Sequence, residues 1–330
     1  MDRRSFIVST VLSVGGSLAR PGIFHGQEPT RRARVGFLSA ISEASVAPNV
    51  RALRESLRER GWIEGQNLRI DYSYDAPGGR SVDERATELT MLAPHLIVAD
   101  STPTSLALQR IRVSLPVVFA AVSEPVEIGL VESLARPGRN FTGFTTVNRE
   151  LMPKRVELAK ELVPRVRRLV YLGNPDYASS RHNTVEVTEV AGRLGLRVEA
   201  IQLRRPEDLD AIDIRPEQRR DTVFVVEQSQ FFIQHVERMV AAERRTKIPA
   251  IYADRQFVDR GGTICYGVNR PELFRRTGGY VDRILHGVRA ADLPVEQPTK
   301  FDVVINRQTA RTLGLSIPRS LLLRADQVIE

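Results

Sequence analysis

From residue 34 onward, short apolar runs alternate with amphipathic stretches, and the alternation occurs twice. Val35-Gly-Phe-Leu38, Leu68 to Tyr74, Leu96-Ile-Val-Ala99 and Val117-Val-Phe-Ala120 read as strands. Between them, Asn49–Arg60 places Val50, Leu53 and Leu57 on one helical stripe that Gly61 stops. Ser81-Val-Asp-Glu84 reads as a capping box opening a second helix. Thr102-Pro103 opens a third, with Thr as N-cap. In the second half, Arg167–Leu172, Leu196–Ile201, Thr222–Val226 and Ala250–Tyr252 read as strands, and Ala178–Leu194 and Phe231–Arg245 as helices. Such alternation excludes all-α and all-β folds and points to parallel sheets flanked by helices.

The two halves also resemble each other. Arg34-Val-Gly-Phe-Leu-Ser39 aligns with Arg168-Leu-Val-Tyr-Leu-Gly173, and Leu115-Pro-Val-Val-Phe-Ala120 with Ile248-Pro-Ala-Ile-Tyr-Ala253. From Arg34 to Arg168 is 134 positions, and from Leu115 to Ile248 is 133. Leu96–Asp100 against Val223–Glu227 is a looser match, 127 positions apart. Two strands recurring in one order at nearly one offset imply two lobes of like topology in this 330-residue chain.

Residues 1–33 carry a different signal. Arg3-Arg4 precede an apolar stretch ending at Ser17-Leu18-Ala19, the pattern of an export signal followed by a linker. Arg3-Arg4-Ser5-Phe6-Ile7 resembles the twin-arginine motif, and general secretion stays open as the alternative. The apolar stretch is too short to cross a bilayer, which takes about 20 residues. No later segment is long and apolar enough either, so the expectation is a periplasmic chain without a membrane span.

The net charge of +8 comes from 48 basic residues, of which only Lys154, Lys160, Lys247 and Lys300 are lysines. The arginines are scattered among acids, as in Arg54-Glu55 and Arg58-Glu59, without the concentrated patch a nucleic-acid binder needs. A nucleic-acid partner is therefore not expected. The single cysteine, Cys265, excludes a disulfide framework and a thiolate metal cluster. Neither a dinucleotide fingerprint, a P-loop, a nucleophile elbow nor a zinc-protease helix occurs. Among the histidines only His182 lies near a strand-end loop. The expectation is no cofactor, no metal site and no enzyme activity.

In open parallel sheets, ligands bind beyond the carboxyl ends of the strands. In the first half those ends hold Ser39, Ser101, Thr102, Ser123 and Glu124. In the second they hold Asn174, Glu227, Gln228 and Asp254. The helix start at Thr102 adds backbone N–H donors suited to an anion. Tyr177, Tyr252 and Tyr266, with Phe231, are the aromatics near this rim. The expected ligand is a small molecule bearing a carboxylate, an amino acid or aromatic acid first. Ser101, Thr102 and Ser123 would hold the carboxylate, Glu227 or Asp254 an amine, and Asn174 the orientation.

Several segments carry a family likeness. They are Leu115-Pro-Val-Val-Phe-Ala-Ala-Val-Ser-Glu-Pro-Val126, Gly129-Leu-Val-Glu-Ser-Leu-Ala-Arg-Pro-Gly138 and Asn140-Phe-Thr-Gly-Phe144. Lys154-Arg-Val-Glu-Leu-Ala-Lys-Glu-Leu-Val-Pro164 and Tyr280-Val-Asp-Arg-Ile-Leu-His-Gly287 follow, and Asp292-Leu-Pro-Val-Glu-Gln-Pro-Thr-Lys-Phe301 is the most specific. Over roughly residues 34–330 the chain resembles the tryptophan-binding-like substrate-binding proteins of ABC transporters. It departs from their pattern at Glu124, where the family more often has Asp, and at Arg139, which interrupts a Pro-Gly-Gly-Asn run. Glu227 and Gln228 occupy a stretch that varies across the family.

The resemblance implies an α/β type I periplasmic-binding fold. Two Rossmann-like lobes with parallel sheets are joined by a three-crossing hinge, and ligand binds between them. Residues 34–147 plus 269–299 would form lobe one, and 148–268 plus 300–330 lobe two, with crossings near 146–149, 267–270 and 299–302. It further implies a monomeric receptor that delivers its ligand to an ABC permease. The alternative is a ligand-sensing periplasmic protein feeding a membrane receptor. A transcription regulator of the same fold would need an N-terminal helix-turn-helix where this chain has its export signal.

Overall fold

The structure is a computed structural model that describes residues 32–76 and 78–330. The export signal expected at residues 1–19 lies outside the described residues.

The chain first builds β1 (Ala33–Leu38), α1 (Glu43–Glu59), β2 (Leu68–Ser73), α2 (Val82–Met91), β3 (Leu96–Ala99), α3 (Thr102–Arg110), β4 (Val117–Val122) and β5 (Phe141–Thr145). It continues with α4 (Asn148–Leu162), β6 (Arg168–Gly173), α5 (Ser180–Arg193), β7 (Arg197–Gln202), α6 (Pro206–Asp210), β8 (Thr222–Val226), α7 (Gln230–Gln234), α8 (Val236–Thr246), β9 (Ala250–Tyr252), α9 (Arg255–Asp259) and β10 (Ile264–Val268). The final stretch holds α10 (Arg270–Leu285), β11 (Phe301–Asn306), α11 (Arg307–Thr312), α12 (Arg319–Arg324) and β12 (Gln327–Ile329).

The strands form two sheets, one ordered β2-β1-β3-β4-β5 and one ordered β12-β11-β10-β9-β8-β6-β7. Strands β3, β4 and β8 are buried along their whole length, as sheets covered on both faces require. This is the two-lobed α/β arrangement of the type I periplasmic-binding fold.

The five-stranded sheet is wholly parallel. The seven-stranded one is not, because β11 runs antiparallel to β10, with Val268 opposite Phe301 and Ile264 opposite Ile305. The chain leaves β10 at its carboxyl end, builds α10 against α1 and β4, and returns to that same end. A strand entering where its neighbour stops must run antiparallel, so the β10–β11 pair is the exception in an otherwise parallel sheet.

Helix boundaries follow local chemistry. Ser81 accepts from the Glu84 N–H while the Glu84 carboxylate accepts from the Ser81 N–H, the reciprocal cap read from the sequence. Helix α1 begins six residues earlier than its apolar stripe indicates, with Ser42 as N-cap. Helix α3 has Ser101, not Thr102, at its N-cap position. The helix expected over 231–245 is two helices, because His235 leaves the helical region between α7 and α8.

Two glycines sit where the strands reach the cleft. A Cβ at Gly143 would collide with the Phe119 carbonyl, and one at Gly267 with the Ala253 carbonyl. Gly143 also has φ +147, a backbone region that L side chains rarely adopt.

Candidate functional site

At the mouth of the five-stranded sheet, Asp100 organises three hydroxyls. Ser39 Oγ donates to its Oδ2 at 2.7 Å, Ser101 Oγ to its Oδ1 at 2.5 Å and Thr104 Oγ1 to the same oxygen at 3.1 Å. Asp100, Ser39 and Thr104 are fully buried and Ser101 nearly so. The β1 and β3 ends are thereby locked together. The hydroxyls of Ser39 and Ser101, expected to meet a ligand, point into this interior knot.

Beside the knot lies a cleft between the two sheets. Its inner cavity is about 10 Å³, room for one water, and is lined by Thr102, Pro103, Ala121, Ser123, Thr146, Tyr177, Gln228, Ser229, Gln230, Ile233 and Arg270. A mouth of about 280 Å³ opens outward, where Asn174 and Phe231 join Thr102, Tyr177, Ser229 and Gln230. Of the residues expected from the sequence, Thr102, Ser123, Asn174, Tyr177 and Gln228 line one or both spaces.

The sides of the cleft touch. Tyr177 Oη donates to Ser123 Oγ at 3.0 Å, and Ser123 Oγ also bonds Thr146 Oγ1 at 2.9 Å. Gln234 Nε2 donates to the Ala40 carbonyl at 2.6 Å and to Asp75 Oδ2 at 3.1 Å. Ser179 Oγ donates to Glu124 Oε2 at 3.4 Å. Burial pushes the Glu124 carboxyl up. On the rim, His182 Nδ1 lies 3.5 Å from Glu127.

Several polar atoms around the cavity have no partner within the protein: Ser229 Oγ, Gln230 Oε1 and Arg270 Nε. Buried polar groups are nearly always satisfied, so three orphans around one cavity, Ser229 and Gln230 from the seven-stranded side and Arg270 from the start of α10, mark a place where a polar guest completes the bonding.

Glu227 belongs to a second interior knot. Its Oε2 accepts from the Asn174 N–H at 2.8 Å, and its Oε1 from Tyr171 Oη at 3.0 Å and Asn183 Nδ2 at 3.2 Å. Burial pushes this carboxyl up, opposed by those same donors. Glu227, expected to meet a ligand amine, instead has its oxygens on the loop after β6, which carries Tyr177, and does not line the cleft cavities. Asn174 is similarly engaged, its Nδ2 donating to the Leu203 carbonyl at 2.8 Å and its Oδ1 accepting from the Asp176 N–H at 3.2 Å.

Tyr252 is fully buried, stacked on Phe257 with ring centroids 4.5 Å apart, and its hydroxyl donates to Glu243 Oε2 at 2.7 Å. It lies among core residues, because the alternation of β9 turns its ring away from the cleft. Tyr266 on β10 packs toward Phe301, and its carbonyl accepts from Arg155 Nε at 2.9 Å. Neither tyrosine lines the cleft cavities. Asp254 caps α9 through the Gln256 N–H at 2.9 Å and faces a separate hinge cavity of about 240 Å³.

Polar contributors that escaped the sequence reading include Thr146, Gln230 and Arg270. Thr146 directly follows β5 and Arg270 stands two residues after β10, so the strand-end rule that found Ser123 also reaches them, whereas Gln230 is the first residue of α7.

A family model described as ABC transporter substrate binding protein matches residues 34–329. The chain belongs to that family. A tyrosine-binding protein from Clostridioides difficile is 23% identical over 288 residues, covering 86% of this chain and 82% of that protein. The crystal structure of an ABC domain in complex with L-Trp from Streptococcus pneumonia is similar at a TM-score of 0.82 and 26% identity, over 90% of this chain and 100% of that one. A conserved domain protein from Vibrio cholerae matches at the same TM-score, identity and coverage. The chain is thus a substrate-binding protein of small-molecule receptor type, and no helix among the described residues is long and apolar enough to cross a membrane.

Proposed function

We propose that this substrate-binding protein captures an amino acid or small aromatic carboxylate in the cleft between its lobes and delivers it, outside the cytoplasm, to an ABC permease. The observation that carries this reading is the orphaned trio around the cleft cavity, Ser229 Oγ, Gln230 Oε1 and Arg270 Nε. Relatives that bind tyrosine or L-Trp support the ligand class.

Capture works by opening and closing. An inner cavity of about 10 Å³ does not admit an amino acid, so ligand enters when the contacts of Tyr177 and Gln234 part. The lobes are residues 34–147 with 269–299 and residues 148–268 with 300–330, and they rotate about the three segments that join the sheets. Ligand prefers the closed form and shifts the population toward it. Thr102 and Ser123 supply hydroxyls and Phe231 and Tyr177 an aromatic rim. The bound molecule leaves unchanged, since the cleft needs only to hold and release it.

A thermal-shift screen of the mature protein with L-tyrosine, L-tryptophan and other small carboxylates tests the reading. A saturable rise in midpoint with at least one of them, and loss of uptake of that compound when the gene is deleted, is the expected result. No shift with any amino or aromatic acid sinks it.

A further inference from the structure

Arg270 is the first residue of α10 and is 4% exposed. Its Nε has no hydrogen-bond partner, and its Nη2 reaches only the Asp100 carbonyl at 3.4 Å. The nearest carboxylate oxygen, Asp254 Oδ2, is 3.6 Å from Nε, beyond hydrogen-bonding distance, and is itself without a partner. Asp254 is also 4% exposed, and burial pushes its carboxyl up while the guanidinium pulls it down. Two opposite charges are thus buried side by side with no hydrogen bond between them, and Arg270 Nε and Asp254 Oδ2 are each left unpaired. Among the described residues lining the inner cavity, Arg270 is the one charged side chain. It also lines the hinge cavity, where Asp254 sits, so its guanidinium stands between two spaces.

We propose that Arg270 is the anion receptor of the cleft: it takes the ligand carboxylate, and Asp254 is a placeholder that the carboxylate displaces on binding. The inference rests on the cleft-binding reading above and adds to it the group that selects an acid over its uncharged or amine counterpart. The chemistry follows from the side chains. A guanidinium offers a planar fork of donors to a carboxylate, and a free Nε leaves one arm of the fork available. In the ligand-free closed form Asp254 keeps that charge from being buried alone. A ligand carboxylate seated in the fork provides better geometry than the 3.6 Å approach of Asp254 and therefore wins. Because Asp254 stands on the seven-stranded side and α10 packs on the five-stranded side, the exchange occurs at the hinge.

The test is calorimetry on the full mature chain with L-tryptophan and L-tyrosine, each against its decarboxylated amine, tryptamine or tyramine. Wild type is expected to bind an acid well above its amine. Arg270→Gln is expected to weaken the acid ten- to a hundredfold while leaving the amine within a factor of about three, erasing the preference. Arg270→Lys recovers part of it. Asp254→Asn, which removes the competitor, tightens the acid about three- to tenfold and leaves the amine unchanged. If Arg270→Gln does not fold, Asp254→Asn decides alone, and weaker acid binding there overturns the proposal. Acid preference that survives in a folded Arg270→Gln overturns it while leaving the cleft reading intact. Wild type that binds neither acid nor amine overturns both.

Discussion

The hydroxyl of Tyr177 donates to Ser123 Oγ at 3.0 Å and so ties the loop after β6 to the end of β4 across the cleft. Each residue belongs to a different sheet system, and the bond exists only while the two sides are together. Burial pushes the Tyr177 hydroxyl well above its ordinary value, so it stays a donor throughout the accessible pH range. Tyr177→Phe removes one neutral hydrogen bond, about 0.5–1.5 kcal/mol, from the closed form only. The expected outcome is a larger radius of gyration for the ligand-free protein and two- to tenfold weaker ligand binding. Scattering curves that superimpose with wild type count against a latch.

Glu227 supports that latch from behind. Its carboxylate holds the Asn174 N–H, Asn183 and Tyr171, and thereby the loop that carries Tyr177. Glu227→Gln keeps the shape but replaces an acceptor oxygen by a donor facing other donors. It should lower stability by about 1–3 kcal/mol and loosen the loop, weakening ligand binding without touching ligand. Hydrogen exchange at residues 174–180 is the direct readout, and exchange as slow as in wild type contradicts the assignment.

Glu243 predicts a pH dependence. It is fully buried and accepts from the Ala250 N–H at 3.0 Å, Tyr252 Oη at 2.7 Å, the Thr263 N–H at 3.2 Å and the Thr263 hydroxyl. Burial raises it from 4.5 to about 7. An acid raised on folding holds its proton longer in the folded state than in the unfolded one. Its contribution to stability is therefore complete below pH 4.5, is lost as pH rises toward 7, and is constant above that. The stability difference between wild type and Glu243→Gln should shift against wild type by roughly 3 kcal/mol across this window. Parallel stability profiles for the two proteins from pH 4.5 to 8 disprove it.

Gly267 tests the packing where β10 meets the cleft. A methyl group there, three residues before Arg270, would run into the carbonyl of Ala253, one residue before Asp254. Gly267→Ala must push β10 away from β9 and is expected to cost about 2–4 kcal/mol, the range of a forced core overlap. Denaturant unfolding measures it, and a change under about 0.5 kcal/mol means that the strands yield more easily than their geometry indicates.

Local patterns along the chain determined the kind of fold. The alternation of strands and helices, the Ser81–Glu84 cap and the recurrence of Arg34–Ser39 at Arg168–Gly173 depend on neighbours within a few positions, and they appear in the structure as β1, β6 and α2. The strand-end rule likewise placed Thr102, Ser123, Asn174, Tyr177 and Gln228 at the cleft. Which way each side chain's polar atoms turn was decided only by tertiary structure. Ser39 and Ser101 turn inward because Asp100, invisible as a partner in the linear pattern, is buried between them. Glu227 faces Tyr171 and Asn183 for the same reason, since a buried carboxylate takes the donors nearest in space. Arg270 faces the cleft because the return of β11 beside β10 draws α10 against the five-stranded sheet, and no spacing along 330 residues encodes that meeting of distant segments.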